Sequence, residues 1–340
     1  MKAVSKEIGI DLGTSYTRIV LRGRGLVLSE PTVVAINKVT GEILAVGNQA
    51  KEMLGRTPDS IIAVKPLKDG IIADFEATRM LIQNLIYRVI PRSLFYKPRI
   101  VITIPSQITD VESRAVEGVA YKAGAKAVYI MEEVMAAAIG AGLEIDKPEG
   151  SMIVDIGGGT SEMAVLSLGG IVTENSVKVA GDKMDQDIVE YIRMKFNVLI
   201  GNTEAEEIKK QIGTASDAMT EEHINVKGRN LSTGLPETVT VTTMDINQAI
   251  SNSLEIILRA IKTTLENTPP ELSSDIMTRG IVLSGSGAYL KNIDRFVSEQ
   301  TGIPVFIADS PSECVARGLA SALENIEILK KSVKAKGLNR

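Results

Sequence analysis

Two stretches of the chain set an acid, a bare turn and hydroxyl side chains in the same order. Residues 154–162 read VDIGGGTSE and residues 8–17 read IGIDLGTSYT, each an apolar run that ends in Asp and gives way to Gly and then Thr. Glycines between a strand and the next element let backbone N–H groups point into a concavity with no Cβ in the way, which suits a phosphate. Gly157, Gly158 and Gly159 supply one wall of such a site, and Gly13 with Thr14 and Ser15 the other. Asp11 and Asp155 end the strands beside these turns. A carboxylate repels a bare phosphate, so its position makes most sense with a Mg²⁺ ion and its waters lying between them. One Asp-Gly after an apolar run is an ordinary turn; two at corresponding places in two similar halves point to a built site. A third glycine turn, LSGSGAYL at 283–290, joins a strand to a helix and places small residues where a base or ribose can lie against backbone. Neither GxxxxGK[ST] nor GxGxxG in a strand-turn-helix setting occurs, so the site is of a different design.

Composition limits the chemistry that these turns can serve. At 340 residues, 44% hydrophobic and 24% charged, the chain is expected to form two lobes of comparable size with large cores. A net charge of -4 argues against nucleic acid as a partner. Cys314 is the one cysteine, so an intramolecular disulfide is excluded and a reducing cytosol is the natural setting. Its neighbourhood, SECVARGLASAL, has a helical pattern in which the thiol reads as a packing residue. His223 is the only histidine, which argues against a Ser-His-Asp triad or a multi-histidine metal site. Carboxylates, hydroxyls, backbone amides and a bound ion are left to do the work. MKAVSKEIGI has no apolar segment of signal-peptide length, and no later stretch approaches the ~20 apolar residues of a membrane-spanning helix. The expectation is a cytoplasmic protein that touches a membrane only peripherally.

Strand and helix signals alternate along the chain, the pattern of an α/β fold with parallel pairing. IGIDLG and TRIVLRGRGLVL read as strands, with a GRG turn at 23–25. Residues 77–90 repeat apolar residues at helical spacing, and PRIVITIP follows as a buried strand. Thr109 and Glu112 have the spacing of a capping box for a helix that stops near Gly124. KAVYIM reads as a strand, and EEVMAAAIGAGL as a helix whose small residues permit close approach by another element. The chain crosses into a second lobe within 144–150, where SMIVDIG, SEMAVLSL and LGGIVTENSVKVA repeat the opening pattern. Helices are expected over 181–198, at TEAEEIKKQIG, over about 245–266, from about 288 and from about 311, with a polar, turn-rich stretch at 214–238.

The paired turns, the glutamate that opens the helix of MEEVMAAAIG and the late LSGSG turn resemble the superfamily of actin, sugar kinases and the ATPase domain of heat-shock chaperones. Within it the chain is most similar to the MreB family of bacterial actins, through GLVLSEPTVVAI, AVGNQAKEMLGRTPDSIIAVKPLKDGIIADF, VESRAVEGVAYKAGA, SMIVDIGGGTSEMAVLSLGGIV and PPELSSDI. The resemblance implies an actin-like duplicated α/β fold, two lobes each with a mixed sheet flanked by helices, and a nucleotide in the cleft between them. It implies a first lobe at 1–143 with an excursion at about 32–74, completed by the C-terminal helix at about 310–340. The second lobe is then 144–309, with an excursion at about 181–242.

Residue by residue, the resemblance makes Asp11 and Asp155 the acids that arrange Mg²⁺ and its waters. Gly13, Thr14, Ser15, Tyr16 and Gly157, Gly158 and Gly159 become the phosphate loops. Glu133 orients the attacking water with Thr160 assisting; Glu206 and Lys209 lie near the adenosine, and Gly285, Ser286, Gly287 and Ala288 form the base-binding turn. A carboxylate at a helix N-terminus can accept a hydrogen bond from a water in line with a phosphate, although an acid there also simply complements the helix dipole. The family usually has Pro after the glutamate, Ala-Asn after Thr14, a third glycine in the late turn and a glycine at 107; here these are Val134, Ser15 and Tyr16, Ser286 and Gln107. Val134 and Tyr16 touch hydrolysis rate and nucleotide preference.

In function, the resemblance implies a slow ATPase that binds ATP or GTP with Mg²⁺ and polymerises into filaments. These would lie on the inner face of the cell membrane and organise cell-wall synthesis with the elongation machinery. The other reading is a small-molecule kinase or chaperone-type ATPase of the same fold, although the chain leaves no room for a chaperone's substrate domain and shows no acid at a sugar cleft. In RSLFYKPR at 92–99, Leu94 and Phe95 stand between Arg92 and Lys97, which suits shallow insertion into an anionic membrane as well as packing under the loop itself. The resemblance favours the membrane.

Overall fold

The computed structural model describes residues 7–90, 97–216, 221–324 and 333–334. Two mixed sheets dominate it. In the first the strand order is Val333–Lys334, Ala127–Glu132, Arg99–Ile104, Glu7–Leu12, Tyr16–Leu21, Gly25–Pro31. In the second it is Val305–Ile307, Ile281–Ser284, Ser151–Ile156, Ser161–Ser167, Gly170–Val177. Each sheet is built on a strand that pairs antiparallel with its successor and parallel with a strand returning from a crossover. The next pairings outward also match, antiparallel on the hairpin side and parallel on the other, and the first sheet alone adds an antiparallel edge strand, Val333–Lys334. The repeat read near residues 8 and 151 is thus a repeat of topology.

Local sequence accounts for the elements that hold these sheets. Strand Ser151–Ile156 is buried at every position, as expected of an apolar run covered on both faces. Thr109 caps helix Asp110–Lys122, accepting from the Glu112 amide while Glu112 reaches back to the Thr109 amide. Thr242 and Asp245 form the same reciprocal cap on helix Thr243–Glu266. That helix ends before Pro269 and Pro270, which open the next helix, Pro270–Arg279.

Helices Glu133–Gly140 and Cys314–Glu324 lie back to back between the lobes. They share one apolar cluster with Val20 and Val101 of the first sheet and Ile153, Ala164 and Leu166 of the second. A Cβ on Gly140 would fall 1.8 Å from the Cys314 carbonyl oxygen, and one on Gly318 would fall 1.8 Å from that of Ala136. The small residues of EEVMAAAIGAGL therefore permit the close approach expected of them, and Cys314 is a buried packing residue.

Three expectations need correction. The helix expected from about 288 is a 3-10 turn, Ser286–Tyr289, followed by helix Ile293–Thr301, because Asn292 adopts φ 61° and interrupts the turn of chain. The C-terminal helix expected from about 311 and over about 310–340 is preceded by a 3-10 turn at Pro311–Glu313 and runs Cys314–Glu324, while Val333–Lys334 is instead a strand at the edge of the first sheet. The polar stretch at 214–238 contains the hairpin His223–Asn230 and Pro236–Thr242, whose strands bury only Val226 and Val241. A small three-stranded sheet, Ile43–Val46, Val34–Asn37 and Ile61–Val64, stands on the other lobe.

Candidate functional site

The two glycine turns are built by the same contact and face each other. Gly13 N–H donates to the Tyr16 carbonyl at 3.1 Å, and Gly157 N–H donates to the Thr160 carbonyl at 2.9 Å. A Cβ on Gly158 would fall 2.0 Å from Ser15 Oγ, and one on Gly159 would fall 2.4 Å from Thr14 Oγ1. The glycines are thus required for a second reason beyond open amides: the opposing turn occupies the space a side chain would need. Thr14 Oγ1 accepts from the Gly70 amide at 3.0 Å, and Ser15 Oγ donates to Asp182 Oδ1 at 3.3 Å.

A narrow cleft of about 40 Å³ opens between the turns. Of the residues singled out in the sequence, Asp11, Gly13, Thr14, Ser15, Glu133, Asp155, Gly157 to Thr160, Gly285 and Ser286 line it. Gly287 and Ala288 sit behind that wall, Gly287 against Ile156 and Ala288 fully buried. Glu206 and Lys209 stand further along, on helix Asn202–Ile212. Glu206 meets Lys51 at 3.0 Å across the cleft and Lys210 at 2.8 Å on its own helix. Burial raises its carboxyl, but the two lysines outweigh that and hold it at about 2. Lys209 pairs with Asp185 and donates to the Gly181 carbonyl, both at 2.6 Å. Lys65 and Asp182 make a further ion pair across the cleft, at 3.0 Å. Leu94 and Phe95 lie outside the described residues.

Asp11 and Asp155 are each 3% exposed. Burial pushes the Asp155 carboxyl up to about 6, against the hydrogen bond from Ser284 Oγ at 2.6 Å. Burial also raises Asp11, opposed by Arg18, whose Nη1 lies 3.0 Å from Asp11 Oδ2. Glu133 opens its helix and lines the cleft; desolvation, then Glu162, Asp155 and Asp11, drive it well above the usual carboxylate range. Glu162 is buried too, and is raised by desolvation and by Asp155. Its Oε1 accepts from the Ser106 amide at 2.9 Å, while its Oε2 has no hydrogen-bond partner among the described residues.

Such crowding of buried acids calls for a cation. Among the described residues no three or more His, Cys, Asp or Glu side chains converge to enclose a metal. Two hard carboxylates beside open glycine turns fit Mg²⁺ nonetheless, because that ion keeps several of its waters and needs only one or two protein oxygens.

Arg18, Glu162 and Ser284 escape a reading of the sequence alone. For the first two a signal exists: in each hairpin the residue seven beyond the acid is its cross-strand partner, Arg18 opposite Asp11 and Glu162 opposite Asp155.

Comparison with known proteins agrees with this arrangement over nearly the whole chain. The MreB/Mbl protein family matches residues 5–331. The chain belongs to the MreB/Mbl family. It is 48% identical to the cell shape-determining protein Mbl of Bacillus cereus over 327 residues, 96% of this chain and 98% of that one. It is 47% identical to the cell shape-determining protein MreB of Escherichia coli K12 over 329 residues, 95% of each. The crystal structure of MreB 5 of Spiroplasma citri bound to AMPPNP superposes with a TM-score of 0.90 at 37% identity, covering 94% of this chain and 96% of that one. The fold is therefore the two-lobed actin-like fold of MreB. This MreB/Mbl chain carries Gln107 at φ 59°, a conformation that explains why glycine is usual there, and Gln107 Nε2 donates across the lobes to the Glu174 carbonyl at 3.3 Å. Val134, in place of the usual proline, is fully buried.

Proposed function

We propose that this chain is a cell-shape-determining bacterial actin that binds an adenine nucleotide with Mg²⁺ between its lobes, hydrolyses ATP slowly and assembles into filaments. The observation that carries the reading is the pair of glycine turns, one from each lobe, interleaved so closely that Gly158 admits no side chain beside Ser15, with a buried acid behind each turn. Full-length kinship with Mbl and MreB and likeness to an AMPPNP-bound MreB 5 support it. The exposed amides and hydroxyls of the turns hold the phosphates. Asp11 and Asp155 hold the ion through its waters, and when bound Mg²⁺ neutralises phosphate charge. Glu133 and Thr160 orient the attacking water, Glu133 as the acceptor of its hydrogen bond. Glu206 and Lys209 border the nucleoside, with Gly285 and Ser286 beneath the base and Gly287 and Ala288 supporting them.

The domain reading accompanies it: lobes at 1–143 and 144–309, the first completed by the C-terminal helix. Filaments attach peripherally to the inner membrane face through Leu94 and Phe95 and organise the cell-wall elongation machinery; no helix among the described residues is long and apolar enough to cross a membrane. Sedimentation and negative-stain microscopy with Mg·ATP, Mg·ADP and no nucleotide test the proposal. Filaments that depend on nucleotide are expected; a chain that binds no nucleotide and forms no filaments overturns it.

A further inference from the structure

We propose that Arg18 is a phosphate-binding residue of this site, a built-in cation that holds the nucleotide even when Mg²⁺ is absent. The inference rests on the nucleotide reading above and adds to it a residue which that reading does not use.

The hairpin register brings Arg18 to the cleft. Strands Glu7–Leu12 and Tyr16–Leu21 pair so that Asp11 faces Arg18, as Asp155 faces Glu162 in the second lobe. The equivalent position thus holds a cation on one side and an acid on the other. Arg18 is the single basic side chain lining the cleft among the described residues, and its side chain is 12% exposed. An arginine kept there in the company of Asp11, Glu133 and Asp155 serves either its acidic neighbour alone or an anion that enters the cleft.

The geometry favours the second role. A guanidinium has five N–H donors in a planar fork, suited to carboxylate and phosphate oxygens. Here one of them, on Nη1, meets one oxygen of Asp11, and that is the only side-chain hydrogen bond Arg18 makes among the described residues. The rest of the fork is available to a phosphate held by the turns, since Gly13, Thr14 and Ser15 line the same cleft. The Tyr16 ring, two residues away on the same strand face, lies 5.6 Å from the guanidinium carbon, within cation–π range, and so limits where the group can swing. Tyr16 is one of this chain's departures from the family pattern, and through this contact it supports Arg18.

The test must separate contact with phosphate from mere neutralisation of Asp11. ATP affinity of the full chain is measured in EDTA, by equilibrium titration with a fluorescent ATP analogue and competition by ATP, in Asp11→Asn and in Asp11→Asn with Arg18→Gln. Asp11→Asn removes the one ion-pair partner of Arg18 among the described residues and leaves only the longer-range attraction of Glu133 and Asp155, which Arg18→Lys preserves and Arg18→Gln does not. The proposal expects Arg18→Gln still to weaken binding by about tenfold or more, the loss of a charge-assisted hydrogen bond, and Arg18→Lys to recover part of it. Equal affinities in the two Asn variants would overturn it. Arg18→Gln and Arg18→Lys alone, compared in EDTA and in excess Mg²⁺, supply the answer should the double variant not fold: a gap between Gln and Lys that is wide in EDTA and narrows with Mg²⁺ supports the proposal, and no gap overturns it. If the parent chain binds no ATP even with Mg²⁺, the nucleotide reading fails and this inference with it; if the parent binds and only the arginine effect is missing, the inference alone fails.

Discussion

Asp155→Asn should make the empty protein more stable and the site useless. The substitution keeps the volume of the side chain and leaves an oxygen to accept the Ser284 hydroxyl, now at 2.6 Å from Oδ2, while removing a buried charge. Burial raises the Asp155 carboxyl from an ordinary 3.8 to about 6. An acid whose pKa is higher in the fold than in the unfolded chain binds an extra proton in the native state between those two values. Stability therefore falls as pH rises through about 4 to 6 and stays low above that window. At ~1.4 kcal/mol per unit the ionised form costs roughly 3 kcal/mol at neutral pH. Asparagine carries none of that cost. Thermal melts in EDTA at pH 5 and pH 7.5 should show the parent losing a few degrees over that range and the variant losing less, so that the variant melts higher at pH 7.5. With Mg·ATP the ranking reverses, because the variant lacks one of the two carboxylates proposed to hold the ion and should show little ligand-induced shift. A parent with a flat pH profile and no stabilisation in the variant would refute the energetic argument; an undiminished Mg·ATP shift in Asp155→Asn would refute the role of the acid.

Further substitutions probe other parts of the site and fold. Glu133→Ala should retain ATP affinity and lose on the order of a hundredfold in phosphate release, since the residue is proposed to orient water rather than hold phosphate; equal turnover in variant and parent would end that assignment. Ser284→Ala removes the hydroxyl that favours ionised Asp155, and calorimetry at pH 7 should find Mg·ATP binding weakened by about 1–3 kcal/mol, whereas an unchanged affinity would mean the hydroxyl only fills space. Gly140→Val drives a side chain into the Cys314 carbonyl, so urea denaturation should show a loss of several kcal/mol; a melt like the parent's would mean the two helices separate at little cost. Leu94→Ser with Phe95→Ser should abolish co-sedimentation with anionic liposomes and spare ATP-dependent filaments, and persistent binding would place the anchor elsewhere.

What is legible in the sequence is local. An acid, a glycine and a hydroxyl within one turn can be read without knowing the fold, and so can the Thr109 cap, whose spacing carries its mechanism. The hairpin at His223–Asn230 and Pro236–Thr242 is illegible because it buries little: outside Val226 and Val241 its strands are mostly exposed and polar, so no alternation of apolar residues announces them. Apolar spacing starts the late helix too early because it does not reveal that Asn292 turns left-handed. Ser284 needs tertiary information, since it reaches Asp155 from a strand 129 residues away.

Arg18 and Glu162 occupy equivalent places in a duplicated hairpin, and their opposite charges make a symmetrical fold chemically unequal. On the first lobe the acid beside the phosphate turn has a guanidinium across from it; on the second, the acid faces another acid whose Oε2 is buried and, among the described residues, unpaired. After desolvation, Glu162 is the largest influence raising Glu133, and Asp155 and Asp11 add to it. In the empty cleft these neighbours favour protonated Glu133, which is poorly suited to accept a hydrogen bond from water. A cation placed beside Glu133 opposes those repulsions and favours the carboxylate, whereas the phosphates, net anionic even with Mg²⁺ bound, add to them. In the proposed reading, the place of the ion relative to Glu133 therefore decides whether the residue that orients the attacking water is a carboxylate, and the second lobe's surplus acid sets how much charge that ion must offset.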